Sequence, residues 1–268
     1  MSNQPLTAIP VAAPVYHDSF DLHATLLDAL HAAAVTLQDG DVLAVSSKYA
    51  AISAGRVVRL ADVQVSDAAQ QLAERYAMNP VMAQLVLSEA DHVFGGIPGF
   101  LLTFKDGILS PNAGIDRSNI PNGYAVLFPV DPYGVAVAIR SLVRARLGVD
   151  VGVILTDSWL MPGRLGTTGV ALATAGFQPV QDERGKADLF GNPMQVTQRG
   201  LADTICAAAQ LVMGERDEAR PIAVVRGSGV TLTDAPITQA DVAIDWPLCI
   251  YVQSLTQGLL ISAPTAGD

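Results

Sequence analysis

The stretch Asp41-Val42-Leu43-Ala44-Val45-Ser46-Ser47-Lys48 joins a short apolar run to three polar residues. Four consecutive apolar residues between turn-forming and polar residues are typical of a strand that is buried on both faces. We therefore predict a buried strand over 42–45 that ends where the polar residues begin. Because a strand end is where a rigid scaffold meets solvent, Ser47 and Lys48 are candidates for a functional site.

Two further apolar runs end in polar residues in the same way. Segment 151–155 leads into Thr156-Asp157-Ser158, and segment 222–225 leads into Arg226-Gly227. Each junction taken alone is more consistent with an ordinary strand-to-loop turn. Three junctions in one chain shift the interpretation only slightly towards a site, so the polar residues at these ends remain candidates.

Helical spacing of apolar residues, helix caps and prolines predict most of the remaining elements. Strands and helices mix without strict β-α-β alternation, so we predict an α+β fold of mixed sheets with flanking helices. The expected helices cover 19–38, 66–77, 80–90, 131–147 and 199–213, a short strand covers 100–104, and 159–197 is expected to be rich in loops.

The composition restricts the class of protein. The 268 residues are 50% hydrophobic and 16% charged, which is typical of a globular chain. No repeat or linker divides them, so we predict a single unit over 1–268, with two interlocked subdomains as the alternative. The net charge of −10 argues against a nucleic-acid partner, because such proteins need a basic surface.

No secretory signal, membrane helix or zinc-type spacing of cysteine and histidine is visible in the sequence. No apolar run reaches the roughly 18 residues of a membrane helix, and no basic region precedes an apolar core at the N-terminus, so we expect a cytoplasmic protein without a membrane partner. Cys206 and Cys249 form no C-x-x-C pair and are interpreted as small buried residues. The four histidines lack zinc-site spacing. The apolar segment 241–264 indicates buried strands or a subunit contact.

The segment Asn112-Ala113-Gly114-Ile115-Asp116-Arg117-Ser118-Asn119 is the strongest chemical signal in the chain. It places a carboxylate, a guanidinium group, two amides and a hydroxyl around one glycine. One interpretation is a turn held by Asn and Asp side chains. The other places Asp116 on a hard cation and Asn119 near a phosphate or a base. Neither a P-loop nor a dinucleotide-binding fingerprint is present.

Segment 112–119 closely resembles the A-G-[VI]-D-x-S-N motif of the coenzyme factor 420:L-glutamate ligases (CofE-type). Further similarities follow in the family's order: 41–48 resembles the first strand and nucleotide loop, Asp157-Ser158 the second metal-binding pair, 211–215 the L-V-M-G-[QE] motif and 221–227 the P-V-x-V-V-R-G motif. Each similarity is weak alone. Their shared order and spacing identify the chain as a divergent member of this family.

The resemblance implies a CofE-like fold in an intertwined homodimer. It also implies a reaction that joins L-glutamate to a small-molecule carboxylate, coenzyme factor 420-0 or a related acid, through an acyl phosphate with GTP as co-substrate. Mg²⁺ or Mn²⁺ would be the metal, and a monovalent cation is a further candidate. The residue types fit this chemistry, because three negatively charged reactants must be brought together.

The resemblance also implies roles for individual residues, all of them polar or charged and all within the matching motifs. The candidates are Asp116 and Asp157 for one metal ion, Ser158 and Glu215 for a second, Ser47, Lys48, Asn119 and Arg226 for the nucleotide, and Asp116, Asp157 and Arg164 for catalysis.

The chain departs from the family pattern at charged positions. Ile52 and Ala54 stand where the pattern has Lys and Glu, and the first arginine of D-[TS]-F-G-R-P-W-R is missing from 157–164. Losing Lys and Arg weakens a phosphate site, because hydrogen bonds to charged groups are the stronger ones. Two alternatives therefore stay open: a ligase with a different acceptor, and a non-catalytic nucleotide- or metabolite-binding protein of the same fold.

Overall fold

The structure is a computed structural model that describes residues 4–256. One five-stranded sheet and three small sheets are combined with helices. The strands are β1 (Thr7–Val11), β2 (Val42–Ser46), β3 (Val57–Arg59), β4 (His92–Ile97), β5 (Phe100–Lys105), β6 (Ile108–Pro111), β7 (Tyr124–Val126), β8 (Gly152–Leu160), β9 (Thr167–Ala175), β10 (Val180–Asp182), β11 (Gln198–Gly200) and β12 (Ile222–Arg226). The α-helices are α1 (Leu22–Ala32), α2 (Ser47–Ser53), α3 (Asp67–Arg75), α4 (Pro80–Glu89), α5 (Pro132–Leu147), α6 (Leu201–Met213) and α7 (Ile250–Thr256).

The largest sheet has the strand order β1-β12-β2-β8-β9. β2 and β8 run parallel, whereas the other neighbouring strands are antiparallel. This mixed sheet, with three smaller sheets and seven helices, is consistent with the predicted α+β class. The parallel pair positions the site, because the ends of two parallel strands lie at the same edge of a sheet.

Helices cover both faces of the large sheet. Leu43 and Val45 pack with α1 and α5, whereas Val42 and Ala44 pack with α6. Side chains alternate between the two faces of a strand, so a strand covered on both sides reads as a continuous apolar run. On α6, Cys206 is a fully buried free thiol, as expected; Cys249 is only partly buried.

A second hydrophobic cluster lies beside the large sheet and supports the segment 112–119. It joins α4, β5 and β7 through Leu85, Val86, Leu101 and Ala125. The motif itself begins in a 3-10 turn, Asn112–Gly114, directly after β6. The motif is therefore attached to a packed layer and not to a free loop.

Some predicted elements were wrong. The first helix ends at Ala32, before a left-handed Ala34 (φ 53°), and not at 38. β8 continues through Asp157 to Leu160, and the segment expected to be loop-rich contains the nine-residue strand β9. Gly169 permits this pairing, because a Cβ there would lie 2.5 Å from the backbone of Cys206 on α6.

In the C-terminal segment, the buried-strand alternative was wrong. Residues 241–256 form 3-10 turns and α7, and 257–264 fall outside the described residues; the alternative of a subunit contact stays a prediction. Among residues 4–256, no helix is both long enough and apolar enough to span a bilayer.

Candidate functional site

A cavity of about 630 Å³ opens at the edge of the large sheet where β2 ends beside β8. Ser46 pairs with Thr156 in the parallel register, so the residues that follow are neighbours. Ser47 Oγ donates a hydrogen bond of 2.8 Å to Asp157 Oδ2. Two polar strand ends that lie 110 residues apart in sequence are thus joined at one edge.

Lys48 connects this edge to the motif segment 112–119. Its Nζ lies 2.5 Å from Asp116 Oδ2 and donates to Ser118 Oγ at 2.8 Å. Asp116 in turn accepts hydrogen bonds from the Ser118 backbone N–H (2.7 Å) and hydroxyl (3.0 Å). The segment is therefore an Asp-stabilised turn, and it also presents its carboxylate to the cavity, so the two interpretations of the motif are compatible.

The backbone of the motif requires its small and amide residues. Asn112, Ala113, Gly114 and Asn119 all have left-handed φ values between 49° and 70°. A Cβ on Gly114 would meet the Phe128 ring at 2.7 Å, so both conformation and space favour glycine there. The side chain of Asn112 accepts the Leu101 N–H at 2.9 Å, which ties the turn to β5.

The other side of the cavity brings β8 to the end of α6. Ser158 Oγ donates to Glu215 Oε2 at 3.1 Å, and Gln210 also contacts this carboxylate. The Ser158 N–H donates to Asp157 Oδ1 at 2.8 Å. The predicted metal-binding residues Asp157, Ser158 and Glu215 thus form one hydrogen-bonded series along the cavity wall.

The two aspartates have opposite pKa shifts. Burial raises the pKa of Asp157 to about 6, although hydrogen bonds from Ser47 and Ser158 oppose the shift, and the negative charge of Asp116 adds to it. Burial also acts on Asp116, but the charge and hydrogen bonds of Lys48 and the hydrogen bonds of Ser118 outweigh it and hold its pKa below the ordinary value. Asp157 is therefore a buried carboxylate without enough positive charge beside it.

This donor set fits a hard divalent cation in its chemistry. Carboxylate and hydroxyl oxygens are the preferred ligands of Mg²⁺ and Mn²⁺, and the uncompensated Asp157 carboxylate is a group that a cation would stabilise. Within the described residues, no group of three or more His, Cys, Asp or Glu side chains forms a ready-made metal cage. Any metal here would therefore combine carboxylates with hydroxyl groups and with substrate or water oxygens.

The predicted site residues separate into four groups, of which Arg226 forms the last. Lys48, Asp116, Asn119, Asp157, Ser158 and Glu215 line the cavity. Ser47 is 2% exposed and faces Asp157, which disagrees with a direct nucleotide contact and makes it a positioning residue. Arg164 is exposed in the turn after β8, does not line the cavity, and makes no ion pair within the described range.

Arg226 lies at the opposite end of the sheet from the cavity. β12 is antiparallel to β2, so the end of β12 lies beside the beginning of β2. Its guanidinium group donates two hydrogen bonds of 2.8 Å to Asp41 and one of 2.9 Å to the Thr36 carbonyl. The structure therefore does not bring Arg226 to this cavity; its guanidinium group is held by the buried Asp41 carboxylate.

Sequence reasoning missed two parts of the cavity wall. One is apolar and aromatic and includes Tyr16, which stacks on Phe20 at 4.1 Å, and Tyr49, whose hydroxyl donates to the Pro14 carbonyl at 2.8 Å. The other carries Arg216 and Arg220. The two arginines could have been found from the sequence, because they follow the predicted site residue Glu215 closely. The motifs that we identified include neither of the two tyrosines.

Comparisons with known proteins show which family the chain belongs to. The model of the F420-0:Gamma-glutamyl ligase family matches residues 10–227. Similar relatives include the Coenzyme F420:L-glutamate ligase of Methanopyrus kandleri, 38% identical over 202 residues that cover 75% of this chain and 80% of the relative. The enzyme of the same name from Haloarcula marismortui is 40% identical over 196 residues, 71% of this chain and 76% of the relative. That of Methanothermobacter thermautotrophicus is 32% identical over 208 residues, 77% and 82% of the two chains. Because both the family model and these relatives span most of the chain, it belongs to the F420-0:gamma-glutamyl ligase family of acid–amino-acid ligases.

Proposed function

We propose that the chain is a metal- and nucleotide-dependent ligase that forms an amide bond between L-glutamate and the carboxylate of coenzyme factor 420-0 or a related acid. One observation carries this proposal. Lys48, Asp116, Asp157 and Glu215 come from four separate segments of the chain and line one cavity. The names of the relatives support the same substrates.

Amide formation from a carboxylate and an amine is uphill in water, so we infer that the acid is activated first. GTP transfers its terminal phosphoryl group to the carboxylate, which gives an acyl phosphate and GDP. The amino group of glutamate then attacks the carbonyl carbon, the C–N bond forms, and phosphate leaves with release of a proton. The protein's contribution to this chemistry is positioning and charge neutralisation.

The cavity residues have distinct tasks in this scheme. Asp116, Asp157, Ser158 and Glu215 would hold a divalent metal, which supplies positive charge to polyanionic reactants. Lys48 neutralises Asp116 in the structure, and its ammonium group is positioned to contact a nucleotide phosphate once another cation takes that carboxylate. Asn119 presents an amide to the same cavity. Ser47 lies outside the cavity lining and orients Asp157 through its hydrogen bond.

The proposal is tested by incubating the protein with Mg²⁺ or Mn²⁺, GTP, L-glutamate and a panel of acids that includes coenzyme factor 420-0. Phosphate release and product mass are followed, with ATP replacing GTP in a parallel series. We expect a product heavier by one glutamyl residue for each amide formed, dependent on metal and nucleotide. Nucleotide binding without turnover across the panel would instead support a non-catalytic binding protein.

A further inference from the structure

The basic side chains that line the cavity are not equivalent. Lys48 is paired with Asp116 at 2.5 Å, and the imidazole ring of His17 lies 3.3 Å from Asp18. The other basic residues of the lining are Arg216 and Arg220, and neither forms an ion pair with any residue between 4 and 256. Their guanidinium groups are therefore available to a ligand in the cavity.

Both arginines stand on the loop between α6 and β12, and this loop is fixed at several points. The Ala219 carbonyl accepts the Ala13 N–H at 3.1 Å, and the Pro221 carbonyl accepts the Ser46 N–H at 2.8 Å. Arg220 makes only a long contact of 3.5 Å with the Val212 carbonyl. The base of the loop is thus held against the ends of β1 and β2 while the arginine side chains remain exposed.

The acidic residues of this loop do not cancel the arginines through direct pairing. Glu215 is engaged by Ser158 and Gln210. Glu218 folds back onto its own loop, where it accepts the backbone N–H of Arg216 at 2.8 Å. Backbone hydrogen bonds, first of all from the Arg216 N–H, lower the pKa of Glu218, and the charges of Arg216 and Arg220 add to this shift. Asp217 is the remaining loop carboxylate and lies between the two arginines in sequence.

A different part of the cavity wall lacks the positive charge that the family pattern places there. Ile52 stands at the position of the pattern's second lysine, and its side chain lines the cavity. It packs with Tyr16, Phe20 and Ile120 in an apolar cluster. These four side chains carry no positive charge, so the unpaired arginines of the cavity lining come from the α6–β12 loop.

We propose that Arg216 and Arg220 form an oxyanion-binding pair that takes a phosphate or carboxylate group of a substrate of this cavity. A guanidinium group donates several hydrogen bonds in a planar arrangement that matches either group. The inference rests on the proposed function for the identity of the ligand, because the nucleotide triphosphate and the carboxylates of glutamate and the acceptor share this chemistry.

Direct binding tests the pair without requiring turnover. Tripolyphosphate with Mg²⁺, and separately L-glutamate, are titrated by calorimetry into the wild-type protein, R216A, R220A, the double variant and R216K/R220K. The matched control is R146A, an exposed arginine on α5 that does not line the cavity. We expect the double alanine variant to bind at least one probe about tenfold more weakly or worse, since hydrogen bonds to charged groups are lost. The lysine variant should retain part of the affinity.

The two probes and the steady-state constants identify the source of the oxyanion. Loss of tripolyphosphate affinity with a raised KM for GTP assigns the nucleotide, whereas loss of glutamate affinity with a raised KM for glutamate assigns the amino acid; a raised KM for the acid alone assigns the acceptor. In each case KM should change more than kcat. Unchanged affinities and KM values in the double variant, or no binding of either probe to the wild type, would overturn the inference. If the double variant binds a probe more weakly and the wild type shows no ligase turnover, the oxyanion-binding pair is supported and the proposed function is rejected.

Discussion

Two ion pairs lie at opposite ends of the same strand and have different surroundings. At the beginning of β2, Arg226 holds Asp41 through two hydrogen bonds, and Asp41 is 1% exposed. After the end of β2, Lys48 holds Asp116, and these side chains are 21% and 38% exposed at the wall of a cavity. The first pair is closed by protein on all sides of the carboxylate, and the second is open to a ligand.

The comparison shows that ion pairs at the two ends of one strand can differ in their surroundings: the pair at the beginning of β2 is enclosed by protein, and the pair after its end lies at a cavity wall. A closed pair has its hydrogen-bonding capacity filled by protein groups, including the Gln38 N–H on Asp41. An open pair keeps charge that a substrate or cation can use.

The largest expected effect lies at the open pair. D116A and D116N should reduce the rate of amide formation by about 10²–10³-fold, since electrostatic groups at a reacting centre are worth this much. Product formation under saturating substrates measures it, and D28N, an exposed aspartate on α1, is the control. Full activity in D116N would show that the open pair is not part of the chemistry.

The next effect lies at the closed pair. R226A should lower the free energy of unfolding by about 3 kcal/mol, because the buried Asp41 carboxylate loses its counter-charge. Denaturant titration measures this loss. The KM for GTP of the folded variant should equal that of the wild type. An unchanged stability with a raised KM would reverse the comparison and return Arg226 to the site.

A third test uses Asp157, the buried neighbour of the open pair. Its pKa of about 6 exceeds the ordinary 3.8, so its protonated form favours the folded state. In metal-free protein this stability is fully present below about pH 4 and is lost as the pH rises through about 6, a loss of about 1–3 kcal/mol. D157N should lack this loss. In thermal unfolding, the stability of the variant relative to the wild type should therefore rise between about pH 4 and 7. Added Mn²⁺ should stabilise the wild type alone; parallel curves for both proteins would contradict the assignment.

The smallest effect is again at the open pair. K48M should change the free energy of unfolding by less than about 1 kcal/mol, because partly exposed ion pairs contribute little to stability. Denaturant titration of K48M and R226A in parallel compares the loss of unfolding free energy at the two ends of β2. A loss as large as that of R226A would mean that both pairs are structural.

Much of this architecture was predictable from local patterns. The continuous hydrophobicity of two apolar runs was enough to predict β2 and β12. Helix α5 was predicted from Pro132 at its first turn and from Gly148 after its end, which is left-handed in the structure. The cavity residues Asp116, Asp157 and Glu215 followed from ordered motifs. These features are local patterns or family motifs, so they can be predicted from a single sequence.

The rest depended on long-range geometry. Arg226 lies away from the cavity because β12 runs antiparallel to β2, and no local sequence pattern predicts that strand direction. The burial of Ser47 depends on the register between β2 and β8. β9 was missed because helices distant in sequence bury its small residues: Ala173 and Ala175 pack in the cluster of α1 and α5, and Ala171 packs against the cluster of α6.

The parallel register of β2 and β8 has a consequence for protein synthesis. Ser47 and Asp157 are separated by 110 residues, and Glu215 follows after another 58, by subtraction of 157 from 215. Contacts between such distant residues form late, because the intervening chain must first be ordered. The wall of the cavity is therefore incomplete in a nascent chain until Glu215, which follows α6, has left the ribosome, so the proposed binding of nucleotide in a translation extract would report that the polypeptide has folded as a whole.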